Sequence, residues 1–312
     1  MLQQTTVGAV GPYFQKFVKR WPTMRHLARA RRNEILKMWA GLGYYRRAHL
    51  LHDCAKTIVR DHDSRFPETE EKLRALPGFG PYTAAAVAAI AFGCRTNVVD
   101  GNVERVMARL FAIRTPLPQA KAKLRDMAAT LVPDQRCGDY AQALMDLGAT
   151  ICTPRNPKCG LCPWNKNCRA RTLGIENKLP RRIKATTKPV RRAIAFFCIN
   201  RKGEVLLRQR PQKGLLGGMM EIPSSAWRAG VMPDLAAARA EAPVKARWHL
   251  LPGAVRHIFS HFELELGVAF AEIGAAAARK NGRWLRLDRL DREALPSVMR
   301  KIAKHAMNFF PS

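Results

Sequence analysis

Cys152-Thr153-Pro154-Arg155-Asn156-Pro157-Lys158-Cys159-Gly160-Leu161-Cys162-Pro163-Trp164-Asn165-Lys166-Asn167-Cys168 gathers half of the chain's eight cysteines into one short span, spaced C-x6-C-x2-C-x5-C. A chain of 312 residues can bury its own core without a disulfide framework, so thiols crowded in this way point to a metal centre. Four thiolates suit zinc or an iron–sulfur cluster. Zinc usually draws on two close C-x2-C pairs and here only Cys159 and Cys162 form one, but spacing alone leaves zinc open. The remaining cysteines, Cys54, Cys94, Cys137 and Cys198, are scattered and read as ordinary buried or surface thiols.

The charge of the whole chain narrows its partners. Lys and Arg number 54 against 24 Asp and Glu, a formal net charge of +30, which draws polyanions at physiological salt. The basic residues run through both halves and no apolar run reaches the length of a spanning helix, so the expected polyanion is nucleic acid rather than a membrane surface. Met1 to Thr6 is polar and lacks the charged, apolar and small-residue order of a leader. A cytoplasmic, nucleoid-associated monomer is therefore expected.

Length suggests two domains. Up to about residue 170 the pattern is helical: Phe14, Phe17 and Val18, then Leu27, Ile35, Leu36 and Trp39, recur mostly at three- and four-residue steps, and 83–92 is a run of small apolar residues. Residues 169–192 carry Pro180, Arg181, Arg182, Lys184, Lys188, Pro189, Arg191 and Arg192, too little apolar surface for a core, and a basic linker is expected over 171–191. Beyond it, β-rich runs at 193–199, 204–209, 255–259 and 263–271 are separated by Gly, Pro and polar turns. The expected architecture is a mainly α domain over 1–170 that includes the cysteine loop, then an α+β domain over 192–312.

Two further motifs carry chemistry. In Leu76-Pro77-Gly78-Phe79-Gly80-Pro81-Tyr82-Thr83-Ala84, Gly78 and Gly80 sit in a turn between helical stretches, where the backbone can come close to a ligand and the N–H groups opening the second helix favour an anion such as a DNA phosphate. A plain helix-to-helix turn has the same signature. In Val98-Val99-Asp100-Gly101-Asn102-Val103-Glu104-Arg105-Val106, a carboxylate ends an apolar run and a new helix follows at once. Taken alone, Asp100 reads as a helix cap.

Together, the glycine turn, the Val-Val-Asp-Gly-Asn-Val-Glu-Arg-Val stretch and the cysteine run resemble the helix-hairpin-helix DNA glycosylases that carry an iron–sulfur cluster, of which endonuclease III and MutY are the best-known branches. Met1-Leu2-Gln3-Gln4-Thr5 and Gly41-Leu42-Gly43-Tyr44-Tyr45 are similar to segments of the MutY branch. The resemblance implies one [4Fe-4S] cluster on Cys152, Cys159, Cys162 and Cys168. It implies that Asp100 supports the positive charge developing on the sugar, that Tyr82 and Asn102 line the base pocket and hold Asp100, and that Gln3, Gln4, Leu42 and Tyr44 fill the space vacated in the base stack. Gly78 and Gly80 would approach the DNA backbone, and Arg155, Lys158 and Lys166 would touch phosphates. The lyase branch has a nucleophilic lysine where this chain has Tyr82; a phenol forms no Schiff base, so a monofunctional enzyme is implied.

From residue 192 onward the chain resembles the MutT-like (Nudix-fold) domain of that branch, through Gly214-Leu215-Leu216-Gly217-Gly218-Met219-Met220-Glu221-Ile222-Pro223 and Phe259-Ser260-His261-Phe262. This implies recognition of 8-oxoguanine opposite adenine, with Ser260 as the hydrogen-bonding contact between Phe259 and His261. Pyrophosphate hydrolysis is not expected, because it needs clustered glutamates for magnesium and only Glu221 and, in the helical stretch 236–242, Glu241 are at hand.

The sequence departs from the branch at its start. There the general-acid glutamate lies two residues before the Met of Met-Leu-Gln-Gln, and here that Met is residue 1. The family's first helix or two is likewise not in this sequence. Two expectations follow: an internal Met taken as the start of a longer gene, or a short form that binds lesions without excising a base. Glu34, Glu68, Glu71 and Glu104 are the substitutes by residue type. The implied substrate is double-stranded DNA with 8-oxoguanine:adenine or guanine:adenine mispairs, and an endonuclease III-like glycosylase/lyase is the alternative.

Overall fold

The computed structural model describes residue 1 and residues 5–183, 187–274 and 282–309; Gln3 and Gln4 lie outside them. The chain gathers into two compact units, Met1–Lys56 with Thr187–Ser312, and Thr57–Thr186. No helix among the described residues is long and apolar enough to cross a membrane.

The first helices are α1 (Val7–Arg20), α2 (Met24–Arg29), α3 (Arg32–Trp39) and α4 (Arg46–Asp61). Val10 and Phe17, two turns apart on α1, are buried, as are Leu27, Ile35, Leu36 and Trp39. Phe14 and Val18 stay exposed, so the apolar repeat read from the sequence is narrower on α1 than its composition suggests.

The second unit continues with α5 (Glu70–Arg74), α6 (Pro81–Phe92), α7 (Gly101–Leu110), α8 (Lys121–Ala129), α9 (Cys137–Asp146), a π-helical turn at Leu147–Ile151, and α10 (Arg169–Thr172). Gly78 turns the chain between α5 and α6 with φ +83°, a conformation that favours glycine. Pro81 then opens α6 where an amide would have no helical partner anyway. The small residues of α6 let α9 come close: a Cβ on Gly138 would lie 2.7 Å from the Ala89 carbonyl oxygen. Val103, Val106 and Met107 of α7, Leu124 and Ala128 of α8 and Leu144 of α9 make the core of this unit.

The stretch read as a linker is folded over its first half. Ala170 and Leu179 are buried, a 3-10 turn covers Glu176–Lys178, and the Leu117 amide donates to the Arg181 carbonyl at 2.8 Å. Composition does not register this, because one buried leucine and a backbone hydrogen bond, rather than a run of apolar residues, hold the segment.

The C-terminal half comprises β1 (Val190–Asn200), β2 (Glu204–Gln209), β3 (Met220–Glu221), β4 (Arg228–Ala229), α11 (Leu235–Ala238), β5 (His249–Leu250), β6 (Val255–Ile258), β7 (Glu263–Ile273), β8 (Gly282–Arg286) and α12 (Ser297–Met307). The sheet runs β3-β2-β1-β7-β5, with β4 on β1, β6 on β7 and β8 on β2. β1 and β7 pair in parallel from Val190 opposite Glu263 to Asn200 opposite Ile273. Both faces of these strands are covered, so they are apolar throughout their middles. The pleat sorts them: Ala193, Ala195 and Phe197 join the core of Val298, Met299 and Ile302 on α12, whereas Ile194, Phe196 and Cys198 join Val244 and Trp248.

Candidate active site and metal-binding loop

Asp100 is both a helix cap and the candidate carboxylate of the chemistry. Its Oδ1 accepts the amides of Asn102 and Val103, each at 2.8 Å, and its Oδ2 accepts Asn102 Nδ2 at 3.0 Å. Asn102 is fixed in turn, its Oδ1 accepting Arg105 Nη2 at 2.8 Å. Arg105 also donates to the Gly148 carbonyl at 2.6 Å and, through Nε, to the Cys152 carbonyl at 2.7 Å. One turn further along α7, Arg109 donates to the carbonyls of Thr153 at 2.8 Å and Leu179 at 3.1 Å, and to Cys152 Sγ at 3.2 Å. Both guanidiniums are buried, 7% and 2% exposed, which is tolerable because carbonyl oxygens take their donors. Helix α7 therefore holds a carboxylate at its N-terminus and grips the cysteine loop with two arginines spaced one turn apart.

The π-helical turn makes room for this relay. A Cβ on Gly148 would sit 2.6 Å from the Asn102 Cβ, so only glycine lets the turn bring its carbonyl to Arg105. Tyr82, on the first turn of α6, donates its hydroxyl to Met145 Sδ at 3.3 Å. Burial first, and the negative charge of Asp100 second, push its phenol up, so it is protonated at neutral pH.

Cys152, Cys159, Cys162 and Cys168 line one recess, walled also by Arg109, Arg171 and Glu176. All four are free thiols, and a 3-10 turn at Cys159–Leu161 folds the C-x2-C pair back on itself, with the Cys162 amide donating to the Cys159 carbonyl at 3.2 Å. Among the described residues, no three His, Cys, Asp or Glu side chains converge tightly enough for one metal ion. The cysteines surround a space instead. Four thiol donors around such a space, with a guanidinium N–H on Cys152 Sγ, fit a thiolate-bound cluster. Arg155, Lys158 and Lys166 are exposed on the loop.

In the other unit, residues 259–262 form the turn between β6 and β7. The Phe259 amide donates to the Phe262 carbonyl at 2.9 Å; the two rings stack at 4.8 Å, and His257 meets Phe259 edge-on at 4.6 Å. Ser260 and His261 are exposed at the tip. The Ser260 hydroxyl donates to the Tyr44 oxygen at 3.5 Å. Tyr44 is exposed and sits at φ +47°, with the Arg47 guanidinium 5.3 Å from its ring centroid. Leu42 differs from Tyr44 in exposure: its amide bonds to the Trp39 carbonyl at 3.1 Å and its side chain is buried in the core.

Several carboxylates singled out in the sequence are committed elsewhere. Glu221 is buried between Arg208, whose Nε lies 2.8 Å from Oε1, and Arg210, which bonds to Oε2. Glu241 accepts the Ala226 amide at 2.7 Å. Glu34 pairs with Arg20 at 3.2 Å and Glu104 with Lys121 at 3.5 Å, while Glu68 and Glu71 are exposed.

Sequence comparison agrees with this geometry segment by segment. The profile of the HhH-GPD superfamily of base excision DNA repair proteins matches residues 1–131, that of the iron-sulfur binding domain of endonuclease III matches 152–168, and that of the NUDIX domain matches 194–305. Adenine DNA glycosylase of Rattus norvegicus is 33% identical over 97% of this chain and 69% of its own length. The chain belongs to the adenine DNA glycosylase family. The human adenine DNA glycosylase is 34% identical over 97% of this chain and 66% of its own length, so the chain spans about two thirds of these relatives. Among solved structures, a thermostable thymine-DNA glycosylase shares the fold of the helical half, with 34% identity over 55% of this chain and 80% of that one and a TM-score of 0.51. The cysteine loop is accordingly an iron–sulfur binding domain, and the C-terminal half of this adenine DNA glycosylase family member is a Nudix-type α+β domain.

Arg105, Arg109 and Gly148 went unnoticed in the sequence. Two arginines one turn apart on an otherwise apolar helix face were the available signal, but most of the acceptors they serve are backbone oxygens that any residue supplies.

Proposed function

We propose that the chain is a monofunctional DNA N-glycosylase that removes adenine paired with 8-oxoguanine, or with guanine, in double-stranded DNA. The observation that carries this reading is the carboxylate of Asp100, held by two backbone amides and the Asn102 amide while Asn102 itself is locked to the cysteine loop through Arg105. Adenine must leave the stack to be reached. As its N-glycosidic bond breaks, positive charge develops at the sugar, and a fixed, preorganised carboxylate stabilises that charge without moving. Asn102 and Tyr82 line the pocket, Tyr82 as a neutral phenol that cannot form a Schiff base. In the branch that the sequence resembles, the proton for the leaving base comes from a glutamate ahead of the Met-Leu-Gln-Gln segment.

Cys152, Cys159, Cys162 and Cys168 are assigned to one [4Fe-4S] cluster. When bound, the cluster cross-links the loop at four points and so fixes Arg155, Lys158 and Lys166 for DNA phosphates. Gly78 and Gly80 present the hairpin backbone to the same strand. Residues 1–170 are assigned to excision and 192–312 to lesion recognition, where Ser260 and His261 stand exposed on an aromatic stack led by Phe259. Tyr44 is assigned to the vacated stack together with Gln3 and Gln4. A monomer on the cytoplasmic nucleoid fits the +30 charge.

The test uses an 8-oxoguanine:adenine duplex with the 312-residue chain and with a version extended upstream. Adenine release without strand cleavage, and without a borohydride-trapped adduct, is expected. A trapped adduct overturns the monofunctional assignment. Tight lesion binding with no release from either version favours the lesion-binding alternative.

A further inference from the structure

Glu176 walls the recess that the four cysteines ring. Its Oε2 is buried and has no hydrogen-bond partner, and its Oε1 takes a long bond of 3.5 Å from Asn177 Nδ2. The two cations on the same recess are engaged elsewhere: Arg171 donates to the Cys159 carbonyl at 3.1 Å, and Arg109 serves the Cys152 sulfur and the surrounding carbonyls. In a chain with 54 basic residues against 24 acidic ones, a carboxylate oxygen left unpaired beside four thiols is out of place as a structural group.

Its chemistry is electrostatic. A cluster on four thiolates becomes more negative by one charge when it takes up an electron, and a nearby anion with one oxygen out of water raises the energy of that reduced state. We infer that Glu176 is a charge-setting residue of the metal site that disfavours reduction of the bound cluster, with Arg171 acting in the opposite sense. This rests on the iron–sulfur reading of the loop.

The experiment measures iron and sulfide in the purified holoprotein and then its one-electron midpoint potential, the electrode supplying the electron. Glu176→Gln should raise the potential, by roughly a tenfold change in the reduced-to-oxidised ratio at fixed applied potential, about 59 mV. Glu176→Asp keeps the charge and should stay close to the parent. Arg171→Gln should lower the potential. Stoichiometric zinc without iron breaks the cluster reading itself. An iron-loaded Glu176→Gln protein with an unchanged or lowered potential overturns the inference alone. If Glu176→Gln fails to load iron, an Arg171→Gln potential that stays put or rises overturns it, and a lowered one supports it.

Discussion

Asp100 and Glu221 each take hydrogen bonds on both carboxylate oxygens, but from donors of different kinds. Those of Asp100 are two backbone amides and the neutral amide of Asn102; those of Glu221 are the guanidiniums of Arg208 and Arg210. Dipolar donors orient a carboxylate and leave its full negative charge in place, whereas guanidiniums cancel it. Arg105 reaches Asp100 only through Asn102, so its cation stiffens Asn102 without hydrogen-bonding the carboxylate itself. The half-buried Asp100 thus keeps a charge that a developing cation can use. Glu221, 2% exposed, is a pin between β2 and β3, and its charge is already met by two guanidiniums rather than held free for magnesium.

The sharpest way to break this comparison is Asp100→Asn. Asn caps helices about as well as Asp, so α7 should hold and thermal unfolding should be unchanged. Single-turnover adenine release, in whichever version of the chain is active, should fall by roughly 10²–10³-fold, the usual cost of removing one preorganised electrostatic contact. Release within threefold of the parent would mean the carboxylate is only a cap. Glu221→Gln should do the reverse. Base release should persist, but two guanidiniums would face a neutral amide, costing about 3 kcal/mol. The Arg208 side chain is 40% exposed, which keeps the cost at the lower end of the range for buried pairs. Calorimetry should show earlier unfolding of the unit containing the sheet, and neither protein should hydrolyse nucleoside diphosphates.

Gly148→Ala sharpens the comparison from the relay side. The added methyl would meet the Asn102 Cβ at 2.6 Å and crowd its backbone, displacing the residue whose amides orient Asp100 while the Val103 amide remains to cap the helix. About a tenfold loss of release with unchanged DNA affinity is expected, since small misplacements of a reacting group are costly. That such a residue was invisible in the sequence has a physical reason. Asp100 was legible as a helix cap because a carboxylate between an apolar run and a helix is a local pattern, as were the long apolar runs of β1 and β7. Gly148, Arg105 and Arg109 matter through contacts to carbonyl oxygens more than forty residues away, and no side-chain pattern records those. The parallel pairing of β1 with β7 across most of the sheet was hidden for the same reason. Leu42 shows the same limit from the other side: its motif is local, but the turn onto Trp39 decides that it is buried.

The smallest expected effect lies in the unit that contains the sheet, where Ser260 is held by neither amide nor guanidinium. Its hydroxyl reaches only the Tyr44 oxygen, at 3.5 Å, among the described residues, so it is free to turn to a base edge. Beneath it, Phe259, Phe262 and His257 form a packed aromatic base whose rings lie 4.6–4.8 Å apart. Removing the hydroxyl should leave that base intact, and with it the shape of the tip. Ser260→Ala should therefore weaken discrimination between 8-oxoguanine:adenine and guanine:adenine by several-fold, the equivalent of one neutral hydrogen bond at about 0.5–1.5 kcal/mol. Affinity for undamaged duplex should not move, because phosphate contacts from a chain of charge +30 supply it without reading the base. The measurement is the ratio of dissociation constants for the two duplexes at one fixed salt concentration, and an unchanged ratio would remove Ser260 from recognition. A loss far beyond one hydrogen bond would instead show that the tip and its aromatic base act as a single unit, which a Phe259→Leu variant, altering the stack alone, should then reproduce.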